Sequence, residues 1–262
     1  MASPPSALPN RPLRAPSSTA RLGELRAALQ PLRLLAKSPL LPRRAATPRQ
    51  VILLPGFGTT DTIMYPLRGY LSAIGHQTHG WGLGRHGKDV EASVEQFLPT
   101  LERVAAASDK PPVLIGWSLG GIVAREVARA HQDLVAKVIS FGSPLGGPRH
   151  TSAARAYDED ELRSIEALIV ERSTDALTMP ITSIYSRRDG IVDWLSCVDQ
   201  QTPHAENIEV TSTHIGYGLD PDVWWSSRSR SRAHPADRLR RRRLQSYWPR
   251  PAGTGISPAV GE

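Results

Sequence analysis

The chain has 262 residues, of which 40% are hydrophobic and 22% charged, so it can form a folded core and is not disordered throughout. It contains no uninterrupted apolar run of about 18 residues, the length that a membrane span requires. Residues 1–21 lack the basic and apolar pattern of a secretory signal, so we expect a cytoplasmic protein. The single cysteine, Cys197, excludes an internal disulfide and a cysteine-only zinc site.

The net charge of +7 is distributed unevenly along the chain. Residues 1–50 carry nine basic residues and one acid, net +8, and residues 226–262 carry nine Arg and two acids, net +7. Residues 51–225 carry a net charge of −8. The high isoelectric point therefore belongs to the two ends, and we expect no nucleic-acid partner from charge alone.

The first part of the chain divides into two segments. Residues 1–19 are rich in Pro, Ser and Ala, and this composition predicts disorder. Apolar residues then recur at three- and four-residue steps between Arg21 and Lys37, which predicts an amphipathic helix that is interrupted or offset at Pro31. Such a helix either packs on the domain surface or makes a peripheral contact with an acidic membrane. Three prolines between residues 39 and 48 indicate a linker up to residue 49.

From residue 50 onward, short apolar runs alternate with segments of helical periodicity. The predicted strands are 51–54, 77–81, 113–115, 135–141, 181–185 and 208–210, and the predicted helices include 67–74, 90–107 and 119–130. This alternation predicts an α/β domain over residues 50–225, with a mostly parallel sheet and helices on both faces. Ligands of such sheets bind at the carboxyl ends of the strands, so the loops there are the first candidates for a site.

One of these loops contains a motif of serine enzymes. Gly116-Trp117-Ser118-Leu119-Gly120 has the pattern G-x-S-x-G and lies between a predicted strand and a predicted helix. In that context the sharp turn holds the serine in a strained conformation that exposes its hydroxyl, and the glycines let strand and helix approach each other. Ser118 is therefore the candidate nucleophile, although glycine-rich turns of this kind also bind phosphate.

A nucleophilic serine needs hydrogen-bond donors for the oxyanion that forms on its substrate. The loop Pro55-Gly56-Phe57-Gly58 follows the first predicted strand, where such a donor is expected. We predict an oxyanion hole from the backbone N–H groups of Phe57 and Leu119. The alternative is that residues 55–58 form a plain tight turn.

The serine also needs a base and an acid that orients the base. Asp189 follows a predicted strand end by a few residues, and Asp193 is its competitor for the acid role. Of the eight histidines, only His214 follows a predicted strand shortly after both aspartates. The order Ser118, Asp189, His214 is the order of catalytic residues in α/β-hydrolases.

Residues 50–225 resemble the bacterial lipase/esterase-type α/β-hydrolases. The matching segments are VILLPGFGTTD, LIGWSLGGIVAREVA, VISFGSPLGG, SIYSRRDGIVDW and EVTSTHIGYGLDPDVW. The resemblance implies the α/β-hydrolase fold, a triad of Ser118, Asp189 and His214, a small-molecule or lipid ester as substrate, and no metal or organic cofactor. One departure is Pro55-Gly56, where many lipases have His-Gly.

Two further segments have more than one interpretation. Residues 144–179 occupy the position where α/β-hydrolases commonly carry a cap, so we expect either a short cap or a surface helix. Residues 226–262 are Arg-rich without apolar periodicity, which predicts a disordered tail. The alternatives for this tail are contact with nucleic acid or an anionic membrane, or a reading-frame change near the end of the gene.

The residues together favour hydrolysis of carboxylic esters through an acyl-enzyme. The same side chains also support acyl transfer or cleavage of thioesters or amides, because a fold does not select among these reactions. A hypothesis of a different class is a non-catalytic protein that binds its partners through the basic ends.

Overall fold

The computed structural model describes residues 11–172 and 177–227. Its strands are β1 Gln50–Leu54, β2 Gln77–Gly80, β3 Val113–Trp117, β4 Lys137–Phe141, β5 Ile181–Tyr185 and β6 Glu206–Glu209. Its α-helices are α1 Ser18–Leu22, α2 Gln30–Lys37, α3 Tyr65–Ala73, α4 Val90–Ala106, α5 Leu119–Ala130, α6 Glu159–Arg172 and α7 Pro221–Ser227.

The strands form one sheet in the order β2-β1-β3-β4-β5-β6, and every neighbouring pair is parallel. The predicted fold class is therefore confirmed, with a sheet that is parallel throughout the described residues. The four central strands are almost fully buried, whereas β2 and β6 at the edges have half-exposed, polar residues. Central strands covered on both faces need continuous apolar runs, which is why the sequence marks them so clearly.

Helices cover both faces of the sheet. On one face, Leu67 and Leu71 of α3 belong to a buried cluster with Leu53 and Ile115. On the other face, α4 and α5 contribute side chains to a second cluster around Ile52 and Leu114. Successive strand residues point to opposite faces, so each strand contributes to both clusters. This packing fixes the carboxyl ends of β1, β3, β5 and β6, where the site residues begin.

The N-terminal segment, residues 18–37, consists of α1, a 3₁₀ turn at Gly23–Leu29 and α2. Its buried side chains are polar, namely Glu24 and Gln30. Five of its six leucines face solvent with 61–76% of their surface exposed, namely Leu22, Leu25, Leu29, Leu32 and Leu35. The sixth, Leu34, is half-buried and packs against the cluster that contains Leu53. The segment thus packs on the domain, as one interpretation expects, but through its polar side.

Charged contacts hold α2 to the last part of the domain. Arg33 donates to Asp220 at 2.7 Å and to Asp222 at 2.6 Å, and it also contacts the Thr211 carbonyl. Lys37 donates to Asp222 at 2.8 Å. Asp220 is fully buried, so the approach of Arg33 supplies the countercharge that a buried carboxylate requires. This requirement explains why the polar side of the segment faces inward.

Residues 11–17 also contact the domain, although their composition predicts disorder. The Arg11 guanidinium donates to both carboxylate oxygens of Asp193 at 2.7 Å, and the Arg14 N–H donates to Asp193 at 2.9 Å. Composition does not predict this interaction, because it depends on the carboxylate of Asp193, which is far away in the chain. Disorder of residues 1–19 stays a prediction, and for residues 11–19 the structure shows contacts and a short helix that the composition does not indicate.

The segment 144–179 contains α6, with residues 173–176 outside the described residues. Lys88 donates to Glu161 at 2.6 Å, and Arg172 donates to Glu126 of α5 at 3.0 Å. These ion pairs attach α6 to the region before α4 and to α5. A capping role for this segment stays a prediction.

The predictions for the Arg-rich tail fall almost entirely outside the described residues, which end at residue 227. The chain is still helical at residues 226 and 227, because α7 continues to Ser227.

Candidate active site

Ser118 lies at the turn between β3 and α5. Its backbone has φ 53° and ψ −122°, and it is the one non-glycine residue with positive φ in the part of the chain that the structure describes. The Ser118 N–H donates to the Phe141 carbonyl at 2.9 Å, which ties the turn to the neighbouring strand. A non-glycine residue in this region stores strain, and such strain is typical of functional turns.

The glycines of the motif are needed because strand and helix nearly touch there. A Cβ atom on Gly116 would lie 2.3 Å from the Gly120 carbonyl oxygen. A Cβ atom on Gly120 would lie 2.4 Å from the Leu54 carbonyl oxygen. Both distances are far shorter than van der Waals contact, so the sharp turn at Ser118 requires glycine at both positions.

The predicted base and acid meet Ser118 in one hydrogen-bonded row. His214 Nε2 lies 3.1 Å from Ser118 Oγ, and His214 Nδ1 lies 2.7 Å from Asp189 Oδ2. A carboxylate can only accept, so Nδ1 carries the proton and Nε2 is left to accept from the serine hydroxyl. The other Asp189 oxygen accepts from the N–H groups of Ile191 and Val192 at 2.9 and 2.8 Å.

The row runs from a buried acid to a partly accessible hydroxyl. Asp189 and His214 are buried, whereas Ser118 is half-buried. The rings of Trp117 and Tyr217 lie 5.5 and 6.0 Å from the imidazole of His214. Burial raises the pKa of Tyr217 well above its ordinary value, which keeps its hydroxyl neutral beside the histidine. This arrangement can transfer a proton from the serine to the imidazole while the acid stays out of contact with water.

Asp193, the competing candidate for the acid, is occupied elsewhere. Burial acts to raise its pKa, but hydrogen bonds from Arg11, the Arg14 N–H and the Leu195 N–H outweigh that effect and hold the pKa below its ordinary value. The Asp193 carboxylate also caps the short 3₁₀ turn that begins at Trp194. The geometry therefore brings Asp189, and not Asp193, to His214.

The loop Pro55-Gly56-Phe57 approaches the candidate nucleophile closely. A Cβ atom on Gly56 would lie 3.2 Å from Ser118 Cβ, so the loop backbone lies against the serine. Phe57 is 41% exposed at this edge, and Leu119 is the first residue of α5. The N-terminal end of a helix carries partial positive charge, so the Leu119 end of α5 favours a negative oxygen near Ser118.

His86 holds this loop in place, a role that the sequence does not reveal. His86 Nδ1 donates to the Pro55 carbonyl at 2.7 Å. The Gly58 N–H donates to the His86 carbonyl, and the His86 N–H donates to the Thr59 carbonyl, both at 2.9 Å. Burial lowers the pKa of His86, which favours the neutral ring. Because His86 precedes Ser118 in the chain, the order of residues excludes it as the base but says nothing about such contacts.

Glu24 of the N-terminal segment is the second residue near the site that sequence reasoning misses. Its buried carboxylate accepts from the Gly190 N–H at 2.7 Å and from the His214 and Ile215 N–H groups at 2.9 Å. Gly190 directly follows Asp189, so the Glu24 carboxylate bridges the loop that contains Asp189 and the loop that contains His214. The available signal is that Glu24 is the one acid among residues 1–50.

Two absences within the described residues, 11–172 and 177–227, concern metals and membranes. No three His, Cys, Asp or Glu side chains come together there as metal ligands do. None of the helices in these ranges combines the length and the apolar character needed to cross a bilayer.

A serine, a histidine and an aspartate joined by hydrogen bonds at the carboxyl edge of a parallel sheet are the arrangement of the α/β-hydrolase class. A family model described as "Alpha/beta hydrolase family" matches residues 38–256. The chain belongs to this family.

The chain is also similar in sequence to curated enzymes. The chain is 25% identical over 137 residues to a pimeloyl-[acyl-carrier protein] methyl ester esterase of Aliivibrio salmonicida, covering 52% of this chain and 49% of the relative. It is 34% identical over 114 residues to the enzyme of the same name from Aromatoleum aromaticum, covering 41% and 42%. The chain thus spans less than half the length of these curated relatives.

Solved structures share the fold at low identity. Est1E from Butyrivibrio proteoclasticus, solved with ferulic acid, superposes with a TM-score of 0.52 at 16% identity, covering 66% of this chain and 83% of Est1E. Lipase B of Aspergillus fumigatus gives 0.53 at 18% identity, covering 70% and 52%. At this identity the similarity concerns the fold alone.

Proposed function

We propose that the chain hydrolyses carboxylic esters through an acyl-serine intermediate. The observation that carries the proposal is the hydrogen-bonded row of Asp189, His214 and Ser118 at a strained turn. An ordinary surface serine has neither a positive φ nor a buried imidazole within hydrogen-bonding distance. Membership in a family of hydrolases supports the same conclusion independently of the geometry.

In the acylation step, Ser118 Oγ attacks the ester carbonyl carbon while its proton passes to His214 Nε2. Asp189, buried and bonded to Nδ1, keeps the imidazole in the required tautomer and stabilises the imidazolium. The carbonyl oxygen becomes an oxyanion in the tetrahedral intermediate. The C–O bond to the alcohol then breaks, and Nε2 returns the proton to the leaving alkoxide.

In the deacylation step, water takes the place of the alcohol. His214 Nε2 removes a proton from the water as it attacks the acyl-serine carbonyl, and a second oxyanion forms. Collapse of this intermediate expels Ser118 Oγ, which recovers the proton from Nε2. The products are a carboxylic acid and the free enzyme.

The N–H groups of Phe57 and Leu119 are our proposed donors to the oxyanion in both steps. Two contacts support this role: Gly56 packs against Ser118, and α5 begins at Leu119. Since the donors belong to the backbone, Pro55-Gly56 serves as well as the His-Gly of many lipases. Removal of a comparable side-chain donor costs about 10²–10³ in kcat.

The names of the curated relatives describe hydrolysis of a methyl ester on an acyl-carrier protein. From these names we propose for this chain only the type of bond that is cleaved, a carboxylic ester with an alcohol leaving group. Turnover of methyl and p-nitrophenyl esters of increasing acyl length measures which acyl group the site accepts.

The decisive test compares Ser118→Ala with the native chain on p-nitrophenyl butyrate. We expect kcat to fall by about 10⁶, as on removal of other serine nucleophiles. Ser72→Ala is the matched control, because Ser72 is an exposed serine of α3 and its change should leave kcat unaltered. Equal turnover by the native chain and Ser118→Ala would contradict the proposal.

Two further measurements separate hydrolysis from related reactions. A fluorophosphonate should label the peptide that contains Ser118 in the native chain and in Ser72→Ala, but not in Ser118→Ala. Product analysis with competing alcohols and with thioester substrates then identifies the preferred acyl donor and acceptor. A product that is mainly the ester of the added alcohol would make the chain an acyltransferase.

A further inference from the structure

The carboxylate of Glu24 connects the two loops that hold the acid and the base. Its Oε1 accepts from the N–H groups of Gly190 and His214, and its Oε2 accepts from the N–H of Ile215. All three distances lie between 2.7 and 2.9 Å, the range of charge-assisted hydrogen bonds. Asp189 and His214 come from loops after different strands, so their separation depends on contacts of this kind.

We propose that Glu24 is a positioning residue for the reaction, which rests on the proposed ester hydrolysis. It does not touch the substrate. It fixes the backbone of His214 relative to the residue after Asp189, and thereby fixes the imidazole relative to Ser118. Glu24 lies outside residues 38–256, the range that the family model matches, so this contribution comes from a part of the chain beyond that range.

Two variants of Glu24 remove different numbers of its three hydrogen bonds. Glu24→Ala removes them all, and we expect kcat to fall by about 10²-fold with KM nearly unchanged, because a misplaced base affects proton transfer rather than binding. Glu24→Gln retains an oxygen for Gly190 and His214 but presents an amide to Ile215. Its kcat should lie between those of Glu24→Ala and the native chain.

The control is Asp199→Asn, since Asp199 is another buried carboxylate, pairs with Arg125 at 2.7 Å and accepts its other hydrogen bonds from Gln201 and Thr202 rather than from the site loops. It should lower the melting temperature and leave kcat unchanged for the folded enzyme. A native kcat in Glu24→Ala, or an equal loss of kcat in Asp199→Asn, would overturn the positioning role. Should Glu24→Ala not fold, Glu24→Gln gives the same comparison.

Hydrogen exchange provides a readout that does not depend on turnover. The amides of Gly190, His214 and Ile215 should exchange at least about tenfold faster in Glu24→Ala than in the native chain. Unchanged exchange would contradict the bridge itself. A native chain without esterase activity would instead refute the proposed function and leave this measurement intact.

A different observation on the same segment carries a second inference. The leucine face, defined as Leu22, Leu25, Leu29, Leu32 and Leu35, points to solvent because the polar side of the segment packs on the domain. A segment that packs only to bury apolar surface would have the opposite orientation. The leucine face is therefore available for an apolar partner.

Charge indicates which partner fits. Arg21 and Arg26 lie within the segment, and its one acid, Glu24, is buried. A cavity of about 420 Å³ that Leu22 helps to line has three arginines, Arg26, Arg187 and Arg188, and a single acid, Asp189, among its lining residues. A second copy of the chain would bring like charges together at this surface. We infer that the leucine face docks on a membrane surface with anionic headgroups.

Vesicle sedimentation with the full chain tests this inference. Vesicles of phosphatidylcholine alone are compared with vesicles in which part of the lipid is phosphatidylglycerol. The double variant Leu25→Asp/Leu29→Asp should lower the partition coefficient on anionic vesicles by about tenfold or more. Val170→Asp, at a 70% exposed position of α6, should change it little.

The Arg-rich tail is common to all variants, so its contribution cancels in the ratio of partition coefficients. Equal partitioning of the double variant and the native chain would overturn the inference. So would a dimer in sedimentation equilibrium that the double variant dissociates, because the leucine face would then be covered by a second copy. We also expect the native chain to bind vesicles of phosphatidylcholine alone more weakly than vesicles that contain phosphatidylglycerol.

Discussion

The central sheet and the N-terminal segment are held to the molecule by opposite kinds of interaction. In the sheet, Ile52 and Leu114 are fully buried and pack against apolar helix faces. In the N-terminal segment, the fully buried side chains are Glu24 and Gln30, and five of the six leucines remain exposed, with Leu34 half-buried against the core. Apolar burial stabilises the sheet, whereas hydrogen bonds and ion pairs attach the segment.

This difference has consequences for how each region responds to change. Apolar packing depends on shape, so the sheet and its turns should tolerate added volume poorly. Ion pairs depend on charge, so attachment of the segment should respond to pH and salt. Three substitutions test this comparison, and they are ordered from the largest expected effect to the smallest.

The largest loss of stability is expected where the sheet meets the turn at Ser118, between β3 and α5. In Gly120→Ala, the new methyl group would overlap the Leu54 carbonyl, a backbone atom that cannot move without displacing β1. We expect a loss of at least about 3 kcal/mol in the free energy of unfolding, together with loss of esterase activity. Denaturant unfolding and turnover of p-nitrophenyl butyrate measure the two losses.

Gly69→Ala is the control for this substitution. Gly69 is an exposed residue of α3, and no atom outside the adjacent helix backbone lies within 4 Å of the added Cβ. Alanine should raise stability there by about 0.5–1 kcal/mol, because glycine is unfavourable inside a helix. If Gly120→Ala and Gly69→Ala changed the free energy of unfolding similarly, close packing at the turn would not be the reason for glycine at position 120.

The sequence predicts the sheet and the row of site residues well because both leave local signals. Buried parallel strands need apolar runs, and the turn at Ser118 needs glycine at positions 116 and 120. The orientation of the N-terminal segment leaves no such signal. Its leucine periodicity predicts an amphipathic helix, and the structure has two short α-helices joined by a 3₁₀ stretch there. Which side is buried depends on Asp220 and on the loop N–H groups, far away in the chain. Glu24 and His86 escape prediction for the same reason, since each acts on distant backbone groups.

A moderate effect is expected at the ion pair that attaches α2. Arg33→Ala leaves the fully buried Asp220 without its cation, with Gln30 at 3.4 Å and backbone N–H groups as its remaining partners. We expect a loss of about 2 kcal/mol at pH 7, below the value for a fully buried pair because Arg33 is partly exposed. Urea unfolding monitors this loss.

The same variant has a predicted pH dependence. Burial, only partly offset by Arg33, raises the pKa of Asp220 above its ordinary value. The native state therefore binds more protons than the unfolded state, and stability falls as the pH rises through this pKa. Removing Arg33 should raise the pKa of Asp220 further, so the fall in stability should become larger and extend to higher pH. Lys37→Ala is the control, because the pair of Lys37 and Asp222 is 40% exposed on both sides and should contribute less than about 0.5 kcal/mol.

The smallest effect is expected at Arg11, which attaches residues 11–17, the stretch that precedes the N-terminal segment, to Asp193. Arg11→Ala removes a half-exposed guanidinium from Asp193, which keeps the N–H groups of Arg14 and Leu195. We expect a loss of about 1 kcal/mol at pH 7 that decreases as salt is added. Arg14→Ala removes the same charge but keeps the backbone donor, so it should have almost no effect.

The sign of the pH dependence is opposite to that for Asp220. Because hydrogen bonds outweigh burial and hold the pKa of Asp193 below the ordinary value of 3.8, Asp193 stabilises the fold above that pH, and this contribution is lost as the pH falls through the lowered pKa. The difference between the native chain and Arg11→Ala should therefore be full at pH 7 and shrink below pH 3.8. A difference that stays constant across this range would mean that Arg11 stabilises the fold by packing, and the contrast between an apolar sheet and a charge-attached N-terminus would not extend to residue 11.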